Sequence, residues 1–250
     1  MTPSPNVKIT RDGAVLCVTF DRPDKKNALN RAMYVAATDA LRQADGDQSI
    51  GAVVFTGSGG VFTAGNDIAD FLEESAEPGE FPAFTFIKTL AACETPLVAA
   101  IEGMAIGIGA TMILHCDLVY VAPGTVFRLP FVDLCLVPEA ASSLLFPRRI
   151  GVAKAAEFLL LGEAFGAEEA VRLGLANAIV PECELRGFAI ESAARFATKP
   201  RAAIAATRRL MRGDSQEILV RIEEEARLFS AAMRSNEARA AFAAFLGKER

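Results

Sequence analysis

The segment Thr95–Asp117 constrains the fold more than any other part of the chain. It opens with an unbroken apolar run after Thr-Pro, Leu97–Ile101, and such a run is typical of a buried strand. A glycine-rich turn, Gly103–Gly109, follows, and the apolar Ala110–Leu114 then predicts a helix. The first N–H groups of a helix lack acceptors, and glycines let a ligand approach them closely. A strand, turn and helix in this order can therefore hold an oxygen that becomes negative during a reaction.

Three other interpretations compete for this segment. A transmembrane helix is disfavoured, because Glu102 interrupts the apolar run and His115 ends it too early to span a bilayer. A dinucleotide-binding loop is disfavoured, because the third glycine of that motif is missing after Gly109. The third interpretation is plain core with glycines at close contacts, and the segment alone does not distinguish it from a functional turn.

Composition narrows the class of protein. The chain has 250 residues, of which 52% are hydrophobic, and a net charge of −5. This length fits one large domain, or a domain with a helical appendage. The negative charge leaves no broad basic surface for nucleic acid or anionic lipid, so neither partner is expected.

The cysteines and the N-terminus indicate a cytoplasmic protein. Five cysteines are scattered along the chain without a Cys-x-x-Cys pair, and most lie in apolar runs. Reduced, buried thiols are therefore expected. The first residues lack the basic and apolar regions of a secretory signal, and no run is long enough for a membrane span.

Short strands alternate with helices as far as Val180, and this order predicts an α/β fold with right-handed crossovers. The first two strands surround Arg11-Asp12-Gly13 as a hairpin, and Glu73–Glu80 is expected to be a mobile surface loop. From Leu185 onwards the chain is helical in character. An apolar stripe there needs either the core or another subunit as its partner; it consists of Ile218, Ile222, Phe229 and Met233.

The side chains exclude several chemistries. His115 is the only histidine, and its apolar neighbours favour a structural role over a catalytic triad. One histidine and scattered cysteines make a zinc site improbable, and no Walker loop is present.

Carboxylates beside backbone amides remain. Val61–Asp67 is a second glycine turn after a strand, so two turns can direct two N–H groups at one oxygen. Taken alone, Ala64–Asp67 favours an ordinary capped helix start over a functional turn, and Glu139 is an ordinary acid in the first turn of a helix that begins at Pro138.

Four stretches, in this order and spacing, resemble the enoyl-CoA hydratase/isomerase (crotonase) family over nearly the whole chain. They are Asp21–Asn30, Thr56–Asp67, Thr95–Asp117 and Leu160–Leu175. The resemblance implies an α/β fold, a crotonase-like spiral of β-β-α repeats over residues 1–195 that holds an acyl-CoA site. It also implies a helical C-terminal region, residues 196–250, that assembles a homotrimer or a hexamer of two trimers.

The resemblance implies roles for particular residues as well. The backbone N–H groups of Asn66 and Ile108 would bind the thioester oxygen of an acyl-CoA substrate. CoA would lie along the loops that carry Lys25 and Lys26, and Lys248 in the tail is a further candidate for a phosphate contact. The remaining substrate contacts implied by motif position are Ala64, Gly65, Asn66, Asp67, Ile68 and Gly107. No separate cofactor and no metal are expected, since CoA is part of the substrate.

The acids indicate the branch of the family. Hydratases carry glutamates at the positions that Thr111 and Phe131 occupy here, and neither of these side chains transfers a proton at neutral pH. Pro138–Ser143 instead resembles the Pro-Glu-Gly/Ala-x-Ser-Ser motif of peroxisomal-type 3-enoyl-CoA to 2-enoyl-CoA isomerases. Glu139 would then be the single catalytic base of a Δ3,Δ2-enoyl-CoA isomerase in fatty-acid oxidation.

Three alternatives to this isomerase stay open. Hydration or dienoyl-CoA isomerisation on the same fold would need a second acid, for which Asp133 is the candidate. A non-catalytic acyl-CoA-binding protein is the third.

Phe81, Phe84 and Phe86 either line an acyl pocket or, as we expect, pack within their helix.

Overall fold

The first two β-rich segments form the expected hairpin in the computed structural model, which describes residues 4–70, 81–213 and 215–248. Strands β1 (Val7–Asp12) and β2 (Val15–Phe20) pair antiparallel, with Asp12 opposite Val15. Gly13 between them has φ of +55°, which a tight turn needs. The segment Glu73–Glu80, predicted to be a mobile loop, lies outside the described residues.

A sheet of six strands runs in the order β1-β2-β3-β4-β6-β9, and every pair after the hairpin is parallel. A sheet of three strands lies beside it in the order β5-β7-β8. Consecutive strands β4 and β5, and then β6 and β7, alternate between the two sheets, so the chain winds as a spiral of repeats. The later strands are β3 (Ala52–Gly57), β4 (Leu97–Ile101), β5 (Met104–Ile106), β6 (Leu118–Val121), β7 (Val126–Arg128), β8 (Phe165–Gly166) and β9 (Ala178–Ile179).

Helices cover the sheets and make up the last part of the chain. The first, which follows the hairpin, is capped by Asn30, whose side chain accepts from the Met33 N–H at 3.0 Å. The described helices are α1 (Arg31–Gly46), α2 (Pro82–Ala92), α3 (Ile108–Thr111), α4 (Ser142–Ile150), α5 (Val152–Leu159), α6 (Ala167–Arg172), α7 (Glu182–Ala197), α8 (Arg201–Arg212), α9 (Ser215–Met233) and α10 (Asn236–Lys248).

The large sheet buries both of its faces, which explains why its central strands are continuous apolar runs. One face joins the main core with α1, α2 and the site region. The other face packs against α7 through a smaller cluster that includes Val54, Val98 and Ala189. Alternate residues of the central strands therefore pack into opposite cores.

The apolar stripe of α9 finds its partner within the chain. Ile218, Ile222, Phe229 and Met233 are buried, and Phe229 contacts Phe84 of α2 edge to face with ring centroids 5.7 Å apart. Phe86 packs in the same way against Phe55, so these phenylalanines fill the core rather than stand free. No helix in the described part of the chain is long and apolar enough to cross a membrane.

One local expectation was wrong. The helix expected from Pro138 begins only at Ser142, because Ala140 and Ala141 adopt left-handed φ values of +60° and +54° and form a turn instead. The segment before Pro138 contains β7 and a short 3-10 helix, Val132–Leu134.

The cysteines are not all buried. Cys17, Cys93 and Cys116 are buried as expected, but Cys135 and Cys183 are exposed. Cys135 ends a 3-10 turn in the left-handed conformation, and Cys183 lies in the first turn of α7 at the surface.

Candidate active site

The two glycine turns lie side by side. A parallel bridge joins Thr63 to Ala105, through the Thr63 N–H to the Met104 carbonyl at 3.0 Å and the Ile106 N–H to the Thr63 carbonyl at 3.1 Å. Residues 61–67 and 104–108, which are distant in sequence, are therefore fixed against each other by backbone hydrogen bonds.

Asn66 and Ile108 each lie three residues after a bridged residue, Thr63 or Ala105. Leu29 pairs with the strand around Asn66 by donating to the Gly65 carbonyl at 2.7 Å and accepting from Asp67 at 2.9 Å. These bonds leave the Asn66 N–H unused, and Ile108 is the first residue of α3, where an N–H has no helical acceptor. Neither N–H donates to an acceptor in the described part of the chain. Such paired donors can stabilise a developing oxyanion.

Glycine is required on the Ile108 side. Gly107 has φ of +53° and ψ of −116°, a conformation that side chains with a Cβ rarely adopt. A Cβ on Gly109 would lie 2.5 Å from Cγ2 of Thr63, so this glycine permits the close approach of the two turns.

Asn27 stabilises the loop that leads to Asn66. Its fully buried amide donates to the carbonyls of Ser58 at 2.8 Å and Val61 at 2.6 Å, and its Oδ1 accepts from the Arg22 N–H at 2.7 Å. Its backbone carbonyl accepts from the Thr63 hydroxyl at 2.7 Å. Asn27 therefore joins the loops around Arg22, Ser58 and Thr63 through hydrogen bonds.

A cavity of about 590 Å³ opens beside the two turns. Its walls combine the polar loops with apolar side chains, including Phe229, Phe245 and Leu246 of the C-terminal helices. The sequence-predicted residues on its walls are Lys25, Lys26, Ala64, Gly65, Asn66, Asp67, Ile68 and Gly107. Ile108 is buried and is not part of the cavity wall. The side chain of Lys248 lies outside the part of the chain that the structure describes.

Some of these residues already have internal partners. The Asp67 carboxylate pairs with Arg22 at 2.6 Å and accepts from the Ala69 N–H at 3.0 Å, so it caps the helix start that the sequence predicted. The Asn66 side chain accepts from the hydroxyl of buried Tyr34. Sequence reasoning missed Tyr34, which gave no signal beyond its place in an apolar helix face.

Glu139 is buried, with 2% of its surface exposed. Its Oε1 accepts from the Thr111 hydroxyl at 2.7 Å, and Thr111 ends α3, three residues after Ile108. Glu139 is not among the residues that line the cavity. Burial raises the pKa of Glu139 to about 8, against the lowering effect of the Thr111 hydrogen bond, and the nearby Glu225 carboxylate raises it further.

The turn after Glu139 is held by a second buried carboxylate that sequence reasoning missed. Glu225 of α9 accepts from the Ala141 N–H at 2.6 Å, from the Ser143 N–H at 3.0 Å and from the Ser143 hydroxyl at 2.5 Å. The available signal was its position within the apolar stripe, between Ile222 and Phe229 at helical spacing.

His115 is structural, as expected. It is buried, and its Nε2 lies 2.8 Å from the Ala140 carbonyl, in the same turn. Burial lowers the pKa of His115 to about 4, so the ring is neutral near pH 7. Within the described residues, no three His, Cys, Asp or Glu side chains cluster to hold a metal ion.

The two positions at which hydratases carry glutamates lie in apolar or buried surroundings. Thr111 is fully buried, and Phe131 forms part of the cavity wall. Asp133, the candidate second acid, is half exposed and pairs with Arg128 at 2.9 Å. The carboxyl group beside the α3 turn is that of Glu139.

Comparison with known proteins shows which family the chain belongs to. A family model described as enoyl-CoA hydratase/isomerase matches residues 10–250. The chain therefore belongs to the enoyl-CoA hydratase/isomerase family.

Individual relatives carry different names. Enoyl-CoA delta isomerase 2 of Rattus norvegicus is 35% identical over 89% of this chain, which spans 58% of that protein's length. A probable enoyl-CoA hydratase of Rhodobacter capsulatus is also 35% identical, over 92% of this chain and 91% of its own. The solved structure of Pseudomonas aeruginosa OdaA is 41% identical, with a TM-score of 0.93 over 97% of this chain and 99% of its own. The fold is thus the crotonase fold, a mixed α/β structure with a helical C-terminal region.

Proposed function

We propose that the protein is a Δ3,Δ2-enoyl-CoA isomerase that uses Glu139 as its single base. The observation that carries the proposal is the contact between buried Glu139 and Thr111, one helical turn after Ile108. The position of Thr111 is where the hydratase pattern would supply an acid, and here it only orients the Glu139 carboxyl group. The similarity to the rat isomerase agrees with this proposal.

The reaction needs one proton carrier. Glu139 takes a proton from C2 of a 3-enoyl-CoA. The C–H electron pair forms a C1–C2 double bond and the carbonyl π electrons move onto the thioester oxygen, which gives a dienolate that keeps the C3–C4 double bond. The Asn66 and Ile108 N–H groups receive the charge on that oxygen. Glu139 then returns the same proton to C4: the carbonyl re-forms, the C1–C2 π electrons become the C2–C3 double bond, and the C3–C4 π electrons bind the proton, so no proton is lost or gained.

The pKa of Glu139 suits this role. A base with a pKa of about 8 is stronger than an ordinary carboxylate, and it is partly ionised near neutral pH. Apolar side chains of the cavity wall, among them buried Phe131 and Leu136, are proposed to exclude water that would otherwise add to the product. The acyl chain is proposed to reach Glu139 from the cavity beside the two turns.

CoA is proposed to lie at the polar mouth of that cavity. Lys25 and Lys26 are exposed there, next to the loop of Ala64–Ile68, and can face phosphate oxygens.

A homotrimer or a hexamer of two trimers is the proposed assembly, with residues 196–250 as the oligomerisation region. Leu210 and Met211 of α8 support it, because they are 84% and 81% exposed and would be covered by another subunit. Light scattering on the purified protein tests the assembly directly.

Hydration is the second candidate, favoured by the hydratase name of the Rhodobacter relative at the same identity. It requires a base for water and an acid for the α-carbon. The ion pair of Asp133 with Arg128 at the surface weakens the case for that second group.

Purified protein incubated separately with a 3-enoyl-CoA and a 2-enoyl-CoA tests the proposal. We expect double-bond migration without water addition. Glu139→Gln should lower the rate by about 10³-fold or more while acyl-CoA binding persists. Asp133→Asn is the matched control and should retain full activity. Water addition that depends on Asp133 would establish a hydratase, and binding without turnover a non-catalytic protein.

A further inference from the structure

We infer that Glu225 is a positioning residue for Glu139: its carboxylate, carried on the C-terminal helix α9, fixes the turn that places the base and adds a negative charge beside it. The inference rests on the proposed function, because it assigns Glu225 to the same reaction.

Three hydrogen bonds carry the inference. The Glu225 side chain is 4% exposed, and its two oxygens accept from Ala141 and Ser143, which lie more than 80 residues earlier in the chain. All three donors lie within four residues of Glu139. A carboxylate matches them because it accepts with both oxygens and donates with neither when ionised.

The turn needs such an anchor. Ala140 and Ala141 both have positive φ, which is unfavourable for residues with a Cβ, and the surrounding contacts must impose it. His115 approaches the Ala140 carbonyl from the 3-10 turn that follows α3, and the Ser142 N–H donates to the Glu139 carbonyl at 3.0 Å. Glu225 holds the following residues from the opposite direction.

Among the described residues, no cation contributes to the pKa shift of Glu139. Arg221, on the same helix, is the positive group that acts on Glu225, and its Nη1 contacts the Ser143 hydroxyl at 3.2 Å. His115, in the 3-10 turn after α3, is neutral, and Thr111 supplies only a hydroxyl. Burial raises the pKa of Glu225 to about 7, so Glu225 is mostly ionised above neutral pH. There it disfavours ionisation of Glu139, as expected for two buried carboxylates.

The same helix also reaches the substrate cavity. Phe229, one turn after Glu225, lies on the cavity wall. α9 thus fixes one wall of the cavity and the turn of the base together, which keeps their relative position constant.

The test measures kcat and KM against pH for wild type, Glu225→Gln, Glu225→Asp and the control Glu223→Gln. Glu223 is on the same helix, but its side chain is 67% exposed and 4.0 Å from Lys88. In Glu225→Gln an amide N–H₂ replaces one acceptor, so we expect kcat to fall by about 10-fold, with KM nearly unchanged. The acid limb of the pH profile, where kcat falls as the base becomes protonated, should move to lower pH by roughly half a unit in Glu225→Gln, because the charge beside Glu139 is gone.

Glu225→Asp separates position from charge. It keeps the charge but shortens the side chain, so kcat should fall while the acid limb stays at the wild-type pH. A purely structural role would lower stability without moving the limb in Glu225→Gln. Kinetics of Glu225→Gln identical to those of Glu223→Gln would overturn the inference. If Glu225→Gln does not fold, unchanged kcat in Glu225→Asp would overturn it.

A second measurement separates this inference from the proposed function. If wild type does not isomerise 3-enoyl-CoA, the proposed function fails, and the titration of Glu139 is then followed by carboxyl ¹³C NMR, assigned by its loss in Glu139→Gln. A lower Glu139 midpoint in Glu225→Gln than in Glu223→Gln supports the inference. An equal midpoint overturns it.

Discussion

The two glycine turns that carry Asn66 and Ile108 and the turn that follows Glu139 are held in place by different means. The turns around Asn66 and Ile108 are joined by backbone hydrogen bonds between neighbouring repeats of the spiral. The turn after Glu139 is held by side chains, and its main anchor, Glu225, comes from a helix near the end of the chain.

The difference reflects what each half must supply. Backbone N–H groups are always donors, so the oxyanion side needs only the right main-chain path and glycines that permit it. A carboxylate becomes a strong base only when it is desolvated, and several elements must surround it to exclude water. Changes to the first half should therefore act on geometry, and changes to the second half on the pH dependence.

Among changes to the two glycine turns, the largest effect is expected from adding a Cβ between them. Gly109→Ala places a methyl group against Thr63 at 2.5 Å, so the turns must move apart. We expect kcat to fall about 100-fold, the scale of losing one oxyanion donor, without a shift of the acid limb. Gly187→Ala in α7 is the matched control, since nothing lies within 4 Å of its added Cβ. A shifted acid limb in Gly109→Ala would contradict the division between the two halves.

The buried base should weaken stability as pH rises. The pKa of Glu139 is about 8 in the folded protein, above its ordinary value of 4.5. Wild type therefore loses stability as pH increases from about 4.5 to 8, because the unfolded chain releases the proton first. Glu139→Gln lacks this loss. Its free energy of unfolding, measured by urea unfolding, should gain on that of wild type by about 1.4 kcal/mol for each pH unit between 4.5 and 8. Parallel stability curves for the two proteins would show that Glu139 titrates normally.

The hydroxyl of Thr111 should move the pH dependence in the direction opposite to Glu225. Its hydrogen bond lowers the pKa of Glu139, so Thr111→Val should raise that pKa and shift the acid limb to higher pH. Thr89→Val is the control, because the Thr89 hydroxyl donates to a carbonyl of its own helix at 2.8 Å. Shifts of equal sign in Thr111→Val and Glu225→Gln would be incompatible with these two contacts.

The smallest change in kcat is expected from Tyr34→Phe, beside the glycine turn that carries Asn66. The variant removes the hydroxyl that donates to the Asn66 side chain while the bridge to Leu29 stays intact. We expect a loss of about 1 kcal/mol, or roughly fivefold in kcat, with the pH profile unchanged. Full activity would mean that the backbone bridge alone positions Asn66.

Much of the fold could be predicted from the sequence. The hairpin around Gly13 and the strand Leu97–Ile101 follow from local rules, and the structure confirms them. The loop before Ser142 could not be predicted, because two alanines in left-handed turns run against their own preference. Tertiary contacts impose that conformation, and no local pattern announces it.

The sequence by itself determined where the backbone donors and the candidate base lie along the chain, since glycine turns and a Pro-Glu motif are local features. Tertiary structure alone decided that a distant carboxylate, Glu225, lies beside the turn of Glu139, and that Thr111 touches that base. The physical reason is that desolvation and charge depend on every group that surrounds a site in space. Those groups come together only when the chain is folded.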